Sequence, residues 1–362
     1  MDALKKNKQL YNHLKQILKE QHKLRFGGLF GLSPKALSTI ESLELDNIPS
    51  GKGLESLPNL KGLKLIINDP NIDIASYINS IEGLSHLNKL DLNIPNIRYL
   101  SQEQIKSVGD LEDVNSSFNI STISWNGFES YSAEEMLQIN QTMDDFKKLV
   151  NPLMSEEEKA ERIYHELGNY ISFDDDQKNR IRDGDLAGAL IDRQAICQGY
   201  SKALEAILND NGIECITVGG QGGKPGDMGH HAWNQAKVNG SWYNMDLTFD
   251  SASDKEGFNK GNWKHFLKSD TEFNKSHILE DKGHPCEDTR YDNREIKISH
   301  KPFLRGRAQE RTSQAQEKNQ PDAELTPLQQ HFAEVEAKAA QNPQQNFKPG
   351  FSLTNIPQGL EK

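Results

Sequence analysis

The amino-acid sequence predicts an α+β protein: a leucine-patterned N-terminal module followed by a domain that combines helices with an antiparallel hairpin. Three observations carry this prediction. Leucines recur with one short spacing across residues 37–120, a helical run begins at Cys197, and two alternating runs flank Asn239-Gly240. The expected division is an N-terminal helix over 1–26, a repeat module over 27–130, the cysteine-bearing domain over 131–295 and a polar tail over 300–362.

The first element, over residues 1–25, is rich in lysine, with Leu4, Tyr11, Leu14, Ile17, Leu18 and Leu24 near helical spacing. Two readings stand: a helix packing its apolar stripe on the next module, or a basic amphipathic helix on a membrane surface. No apolar h-region follows the lysines, so the stretch is not a secretory signal. No apolar run approaches the roughly 20 residues that span a bilayer.

In the next region Leu54, Leu57, Leu60, Leu63 and Leu65 set a spacing that Ile81, Leu84, Leu87, Leu90 and Leu92 repeat 27 positions on. Weaker copies occupy Leu37, Ile40, Leu43 and Leu45, and the neighbourhood of Val114, Phe118 and Ile120. The period falls in the range of about 20–29 residues in which each unit gives one short strand and a return segment. No such unit buries its face alone. The pattern resembles a short, degenerate leucine-rich-repeat module. The asparagine usual after the L-x-L core is not consistently placed, and a small α/β layer with accidental leucine spacing is the alternative.

Residues 133–150 and 155–172 read as helices, the second opened by Ser155 and Glu158 in a capping-box pattern. Residues 174–185 are charged and expected as loop. The stretch from 213 to 249 is strand-like, interrupted by the glycine-rich segment 219–229, expected as a flexible loop ahead of His231. Beyond about 300 the composition turns to Gln, Lys, Asn, Glu and Pro, which cannot offset the entropy of ordering. One short helix at 328–340 and a recognition segment at 347–356 are the expected exceptions.

Whole-chain composition bounds the function. The 362 residues carry a formal net charge of -11, which argues against a broad phosphate-binding surface; no nucleic-acid partner is expected, and the N-terminal stretch is the candidate for a local basic patch. With 35% hydrophobic residues and a mean hydropathy of -0.74, part of the chain is expected to lie outside any packed core. Cys197, Cys215 and Cys286 are too few and too scattered for a disulfide framework, which favours a reducing compartment. The expected location is cytoplasmic, or exported without an N-terminal signal peptide. The charged tail and missing signal also suit a bacterial protein delivered into another cell.

The candidate chemistry centres on Cys197. Ala203, Leu204, Ile207 and Leu208 repeat with helical spacing and Asn211-Gly212 ends the run, so Cys197 sits at or just before a helix N-terminus. Unpaired N–H groups and the positive end of the dipole stabilise a thiolate there. Gly199 allows close backbone approach at that turn. Cys215, inside the apolar run 213–218, reads as a buried structural cysteine.

Asn239-Gly240 favours a two-residue type I′ hairpin. Val238 then faces Ser241, His231 faces Thr248, and Trp233 faces Asp246. His231 and Asp246 share a face as diagonal neighbours, about 7–8 Å apart at the backbone. A carboxylate placed there accepts the imidazole N–H and fixes its tautomer. His230 points to the opposite face.

The segments AICQGYSKALEAILNDNGIECITVGG, GHHAWNQAKVNGSWYNMDLTFD and HFLKSDTEFNKSHILE together resemble the transglutaminase-like superfamily, over roughly residues 155–290. The resemblance implies a papain-like fold with the nucleophile at a helix N-terminus against an antiparallel sheet. It places the nucleophile on Cys197, the histidine on His231 and the aspartate on Asp246, with Gly199, Tyr200 and Trp233 on the substrate side. It further implies a cysteine-dependent acyl-transfer enzyme acting on amide bonds of a protein or peptide, as protease, deamidase or transglutaminase, without a cofactor. The leucine-rich region would present that partner. Where similar proteins often carry proline and tryptophan after the aspartate, this chain has Leu247 and Phe249. The rival reading is a non-catalytic protein-binding module on the same scaffold.

Other chemistry fits less well. A zinc site drawn from Cys197, Cys215, His230, His231, His284 and Cys286 lacks any close C-x-x-C spacing, so no metal is expected. The phosphate-loop pattern fails at Val218 and Pro225. Trp233, Trp242 and Tyr243 read as core or cleft-wall aromatics, and Asp250 and His277 as structural.

Overall fold

The computed structural model describes residues 1–21, 23, 31–69, 72–82, 84, 86–112, 117–124, 127–175, 180–252 and 263–294. The chain divides into two units, Met1–Gly306 and Arg307–Lys362. Leu24, Val114, the polar tail and the elements expected at 328–340 and 347–356 lie outside the described residues.

The N-terminal stretch forms α1 (Asp2–Lys6) and α2 (Lys8–Glu20), joined at Asn7, whose side chain accepts from the Leu10 N–H and caps the second helix. Leu4, Leu10, Leu14 and Leu18 are fully buried. The Asn7 amide donates to the carbonyls of Ser50 and Lys52 at 2.8 and 3.0 Å. A Cβ on Gly53 would lie 2.7 Å from the Leu4 backbone, so α1 rests directly on that turn. The apolar stripe is therefore part of the core, the first of the two readings. No helix among the described residues is long and apolar enough to cross a membrane.

After α3 (Pro34–Leu37), a five-stranded sheet runs in chain order: β1 (Ser42–Asp46), β2 (Gly62–Ile66), β3 (Lys89–Ile94), β4 (Ser117–Ser124) and β5 (Gly127–Tyr131). The first four are parallel and β5 turns back antiparallel. Parallel neighbours need crossovers, supplied by a 3-10 turn at Leu54–Ser56, then α4 (Ile74–Ile81) and α5 (Gln102–Glu112). The repeated leucines fall in register: Leu43, Leu63 and Leu90 pair in one rung, and Leu45, Leu65, Leu92 and Ile120 in the next. Side chains alternate across a strand, so these rungs are buried while Glu44, Lys64 and Asp91 line the opposite face.

The second half opens with α6 (Ala133–Lys147) and α7 (Glu156–Tyr170), each started by a full capping box, Ser132 with Glu135 and Ser155 with Glu158. β6 (Ser172–Phe173) pairs with β7 (Gln194–Ala195) on either side of α8 (Arg180–Asp183) and a π turn at Gly188–Asp192. The charged loop expected at 174–185 thus contains one short helix. There follow α9 (Cys197–Asp210), β8 (Cys215–Lys224), β9 (Asp227–Val238), β10 (Ser241–Met245), α10 (Leu247–Ala252), α11 (Asp270–Phe273) and β11 (His277–Leu279). The sheet is antiparallel in the order β10-β9-β8-β11.

The glycine-rich segment corrects the expectation of a flexible loop. Residues 219–224 continue β8, Pro225 and Gly226 make the turn, and β9 begins at Asp227. The glycines serve close approach. A Cβ on Gly220 would lie 2.1 Å from the Ile278 carbonyl oxygen, and one on Gly222 would lie 2.8 Å from the His231 ring.

Three ion pairs tie the sheet of leucine rungs to this half. Arg98, just after β3, donates to Asp144 on α6 at 2.6 Å and grips Asp210 at the end of α9 with two nitrogens, at 2.9 and 3.2 Å. Such a fork fixes direction as well as distance. Lys202 on α9 pairs with Glu129 on β5, both buried or nearly so.

Candidate active site

The start of α9 is set by the chain before it. Arg193 adopts a left-handed backbone, β7 pairs with β6, and the Ile196 N–H donates to the Asp183 carbonyl at 2.9 Å. Ile196 is the N-cap residue and has an extended backbone, leaving Cys197 as the first helical residue with no side-chain cap in front of it. Its neighbours in the first turn expose N–H groups that no intrahelical carbonyl satisfies. A Cβ on Gly199 would meet the Asp183 carbonyl oxygen at 2.3 Å, so only glycine lets α9 start this close to that strand of backbone.

The sheet brings the histidine. The β9–β10 register pairs Val238 with Ser241 and Asn234 with Met245, and Asn239 and Gly240 both have positive φ, 51° and 84°. This is the two-residue primed turn expected from Asn-Gly. Asp246 lies one residue beyond the ladder, where its N–H donates to the His265 carbonyl at 2.9 Å. From there its carboxylate reaches diagonally, and His231 Nε2 stands 2.8 Å from Asp246 Oδ2. His230, one residue earlier, pairs with Gln221 and is exposed.

Electrostatics link the three. Burial pushes the Cys197 thiol up, but the hydrogen bond and charge of His231 and the Ala232 N–H outweigh it and bring the thiol below its ordinary range. Burial would lower His231, yet Asp246 and Cys197 push it up to about 10. Asp246 is fully buried; desolvation opposes its charge, while His231 and then His277 hold it well below the usual carboxylate range. All three directions favour a thiolate beside an imidazolium. Cys215 contrasts: burial and the Glu205 charge raise its thiol far above the ordinary value. Burial also pushes Cys286 up, to about 12.

Residues outside the expected trio complete the surroundings. His277 on β11 places Nε2 3.0 Å from the same Asp246 Oδ2, and the Phe249 N–H donates to Oδ1 at 3.0 Å. The Phe249 ring lies 4.5 Å from the His231 ring, so the phenylalanine found where similar proteins have tryptophan walls the imidazole. Asp250, behind it, accepts from Tyr164 at 2.7 Å and lies 2.9 Å from His265 Nδ1. The sequence reads His277 as structural; its reach to Asp246 depends on β11 joining the far edge of the sheet.

The three residues expected on the substrate side sit lower. Tyr200 and Trp233 are buried, the tyrosine donating to the Ile171 carbonyl at 3.1 Å and the indole to Asn244 at 3.4 Å. Gly199 faces Asp183. Neither aromatic ring offers open surface. The residues of the weighed zinc set are dispersed: Cys215 is in the core, Cys286 contacts Gln235, and His284 stacks on Trp242. Among the described residues, His231, Asp246 and His277 are the grouping whose donor atoms come within 4.8 Å of one another. Each Nε2 is at hydrogen-bond distance from one carboxylate oxygen, so a proton on each ring satisfies the arrangement.

Residues 146–247 match the family model described as the transglutaminase-like superfamily. No curated protein matches the chain. One similar solved structure, "Crystal structure of a TGase", is 20% identical over 31% of this chain and 30% of its own, with a TM-score of 0.27. Another, named "Putative Cysteine Protease from Cytophaga hutchinsonii", is 17% identical over 31% of this chain and 38% of its own, also with a TM-score of 0.27. The chain thus spans about a third of the length of each. Cys197, His231 and Asp246 all fall within the family match, and the leucine-patterned region lies wholly before it. Residues 146–247 therefore carry the likeness to the transglutaminase-like superfamily, within a region of mixed helices and antiparallel sheet.

Proposed function

We propose that the protein is a cysteine-dependent acyl-transfer enzyme acting on amide bonds of a protein substrate. The observation that carries this reading is His231, held by buried Asp246 at 2.8 Å, together with the fall of the Cys197 thiol below its ordinary range that His231 causes. In this reading Cys197 is the nucleophile. Its Sγ attacks the amide carbonyl carbon, a C–S bond forms, and negative charge collects on the carbonyl oxygen. The Cys197 backbone N–H at the helix start is the donor available to that oxyanion. His231 passes its proton to the leaving nitrogen as the C–N bond breaks, leaving a thioester. Water or an amine then attacks the thioester and gives its proton to His231, and the thiolate departs. Asp246 keeps the imidazole in one tautomer and offsets its charge.

The nature of the acceptor separates hydrolysis from transamidation, and the substrate decides between peptide cleavage and side-chain deamidation. The leucine-rich face, with Glu44, Lys64 and Asp91 on its polar side, is proposed to present the protein substrate, by analogy with other repeat surfaces. The test is mass spectrometry of candidate proteins incubated with wild type and Cys197→Ala. Glutamine converted to glutamate means deamidation, an amine adduct or isopeptide bond means transglutamination, and a new terminus means proteolysis. If wild type and variant leave identical products across amide substrates, the protein is a binding module and the enzymatic reading is wrong.

A further inference from the structure

The geometry points to His277 as a positioning residue, whose Nε2–H holds the Asp246 carboxylate in the place from which it aligns His231. This inference rests on the acyl-transfer reading of Cys197. Its basis is the number and direction of bonds on one buried carboxylate. Asp246 Oδ2 is shared by two imidazoles, His231 Nε2 at 2.8 Å and His277 Nε2 at 3.0 Å, while Oδ1 is held by the Phe249 N–H at 3.0 Å. Two of these three donors lie outside the thiol–imidazole pair. They keep the carboxylate oriented when His231 gives up its proton or swings with the substrate.

The tautomer of His277 is also set. Its side chain is fully buried, and Ser276 Oγ stands 2.9 Å from Nδ1. A neutral ring that donates through Nε2 must accept at Nδ1, so the serine hydroxyl proton turns to Nδ1 at 2.9 Å in preference to the Phe273 carbonyl at 3.5 Å. The groups facing the ring agree with neutrality: burial and the nearby His231 and His265 disfavour a second positive charge, against the pull of Asp246. His265 is itself tied to Asp250. Phe273 stacks on His277 with centroids 4.0 Å apart, so the ring cannot turn away without losing that contact. The chain of contacts therefore runs from Ser276 through His277 and Asp246 to His231 and Cys197. No step requires His277 to gain or lose a proton.

A packing role and a hydrogen-bonding role predict opposite rankings for two substitutions. His277→Phe keeps an aromatic ring against Phe273 and removes the donor. His277→Gln gives up the ring and supplies an amide N–H at similar reach. The readout is the rate of Cys197 alkylation by iodoacetamide across pH, followed by peptide mass spectrometry on the full chain, with thermal unfolding recorded for each variant. The expected result is that His277→Phe slows the rate below the ordinary thiol value by about tenfold and moves the profile toward that of an ordinary thiol, the loss of one bond to a charged group. His277→Gln should stay within about threefold of wild type. Ser276→Ala, which leaves the ring in place, should shift the profile in the direction of His277→Phe by less, and serves if that variant fails to fold. If His277→Phe matches wild type while His277→Gln is the more impaired, His277 is packing alone and the inference is overturned. If the wild-type thiol itself alkylates like an ordinary cysteine, it is the underlying acyl-transfer reading that fails.

Discussion

The leucine ladder and the Cys197 site are built on opposite principles. In the ladder, Leu45, Leu65, Leu92 and Ile120 form one buried rung of near-equivalent apolar side chains, and charge is confined to the exposed face. Stability there is spread over many contacts of small individual worth. In the site, a buried carboxylate, a nearly buried imidazole and a half-buried thiol depend on a few directional bonds, and each has few substitutes. The difference teaches where a change will be felt. A ladder mutation should cost stability and spare chemistry; a site mutation should cost chemistry first.

The strongest break of this comparison is Cys197→Ala, which should lower turnover by a factor on the order of 10³ or more. Its thermal midpoint should stay close to wild type, because the thiol is half-buried and fills little of the core. Asp246→Asn comes next, with a loss on the order of 10² to 10⁴ in kcat, since the amide no longer sets the imidazole tautomer or offsets its charge. Steady-state kinetics on the substrate found by mass spectrometry checks both. Leu92→Ala is the mirror test. It should cost about 2–5 kcal/mol in chemical denaturation while the alkylation profile of Cys197 stays unchanged.

The pH dependence is a finer probe. His231 is raised in the folded state to about 10, so its contribution to stability is full below its unfolded value of about 6.5 and is lost as pH rises through about 10. Asp246 is depressed, so its contribution is present above about 3.9 and is lost as pH falls through its far lower folded value. The lowered Cys197 thiol opposes this slope, so the comparison is made without it: denaturation midpoints measured from pH 6 to 10 should fall more steeply in Cys197→Ala than in the double variant Cys197→Ala, His231→Gln. The smallest effect expected is at the exposed Glu44–Lys64 pair on the ladder's polar face. Lys64→Ala should change stability by less than about 1 kcal/mol, and a larger loss would mean that the exposed face is more than a solvated surface.

Much of this organisation is written in local sequence. Ser155 and Glu158 announce a helix start because capping acts over three residues. Asn239-Gly240 fixes the β9–β10 register because the turn type is decided by two backbone dihedrals. Cys197 falls on the first residue of α9, where helical periodicity and the turn before it agree. Features that rest on distant chain were harder to read. The glycines at 220 and 222 look like loop residues until β11 and the His231 ring are placed against them. His277 is 31 residues from Asp246, and nothing near it in sequence says that β11 will join β8 at the sheet edge. Tyr200 and Trp233 are legible as aromatics near the motif; their burial follows from helix and sheet packing that no local pattern encodes.

The proposed chemistry stands or falls on one property, the thiolate of Cys197 held by His231. Iodoacetamide labelling of the full chain, quantified peptide by peptide across pH, measures it with Cys215 and Cys286 as internal references. Cys197 should label rapidly and almost independently of pH well below the ordinary thiol value of about 8.5, while the two buried cysteines remain slow throughout. A Cys197 profile that rises only near that ordinary value, unchanged in Asp246→Asn, would contradict the ion pair and the acyl-transfer reading built on it.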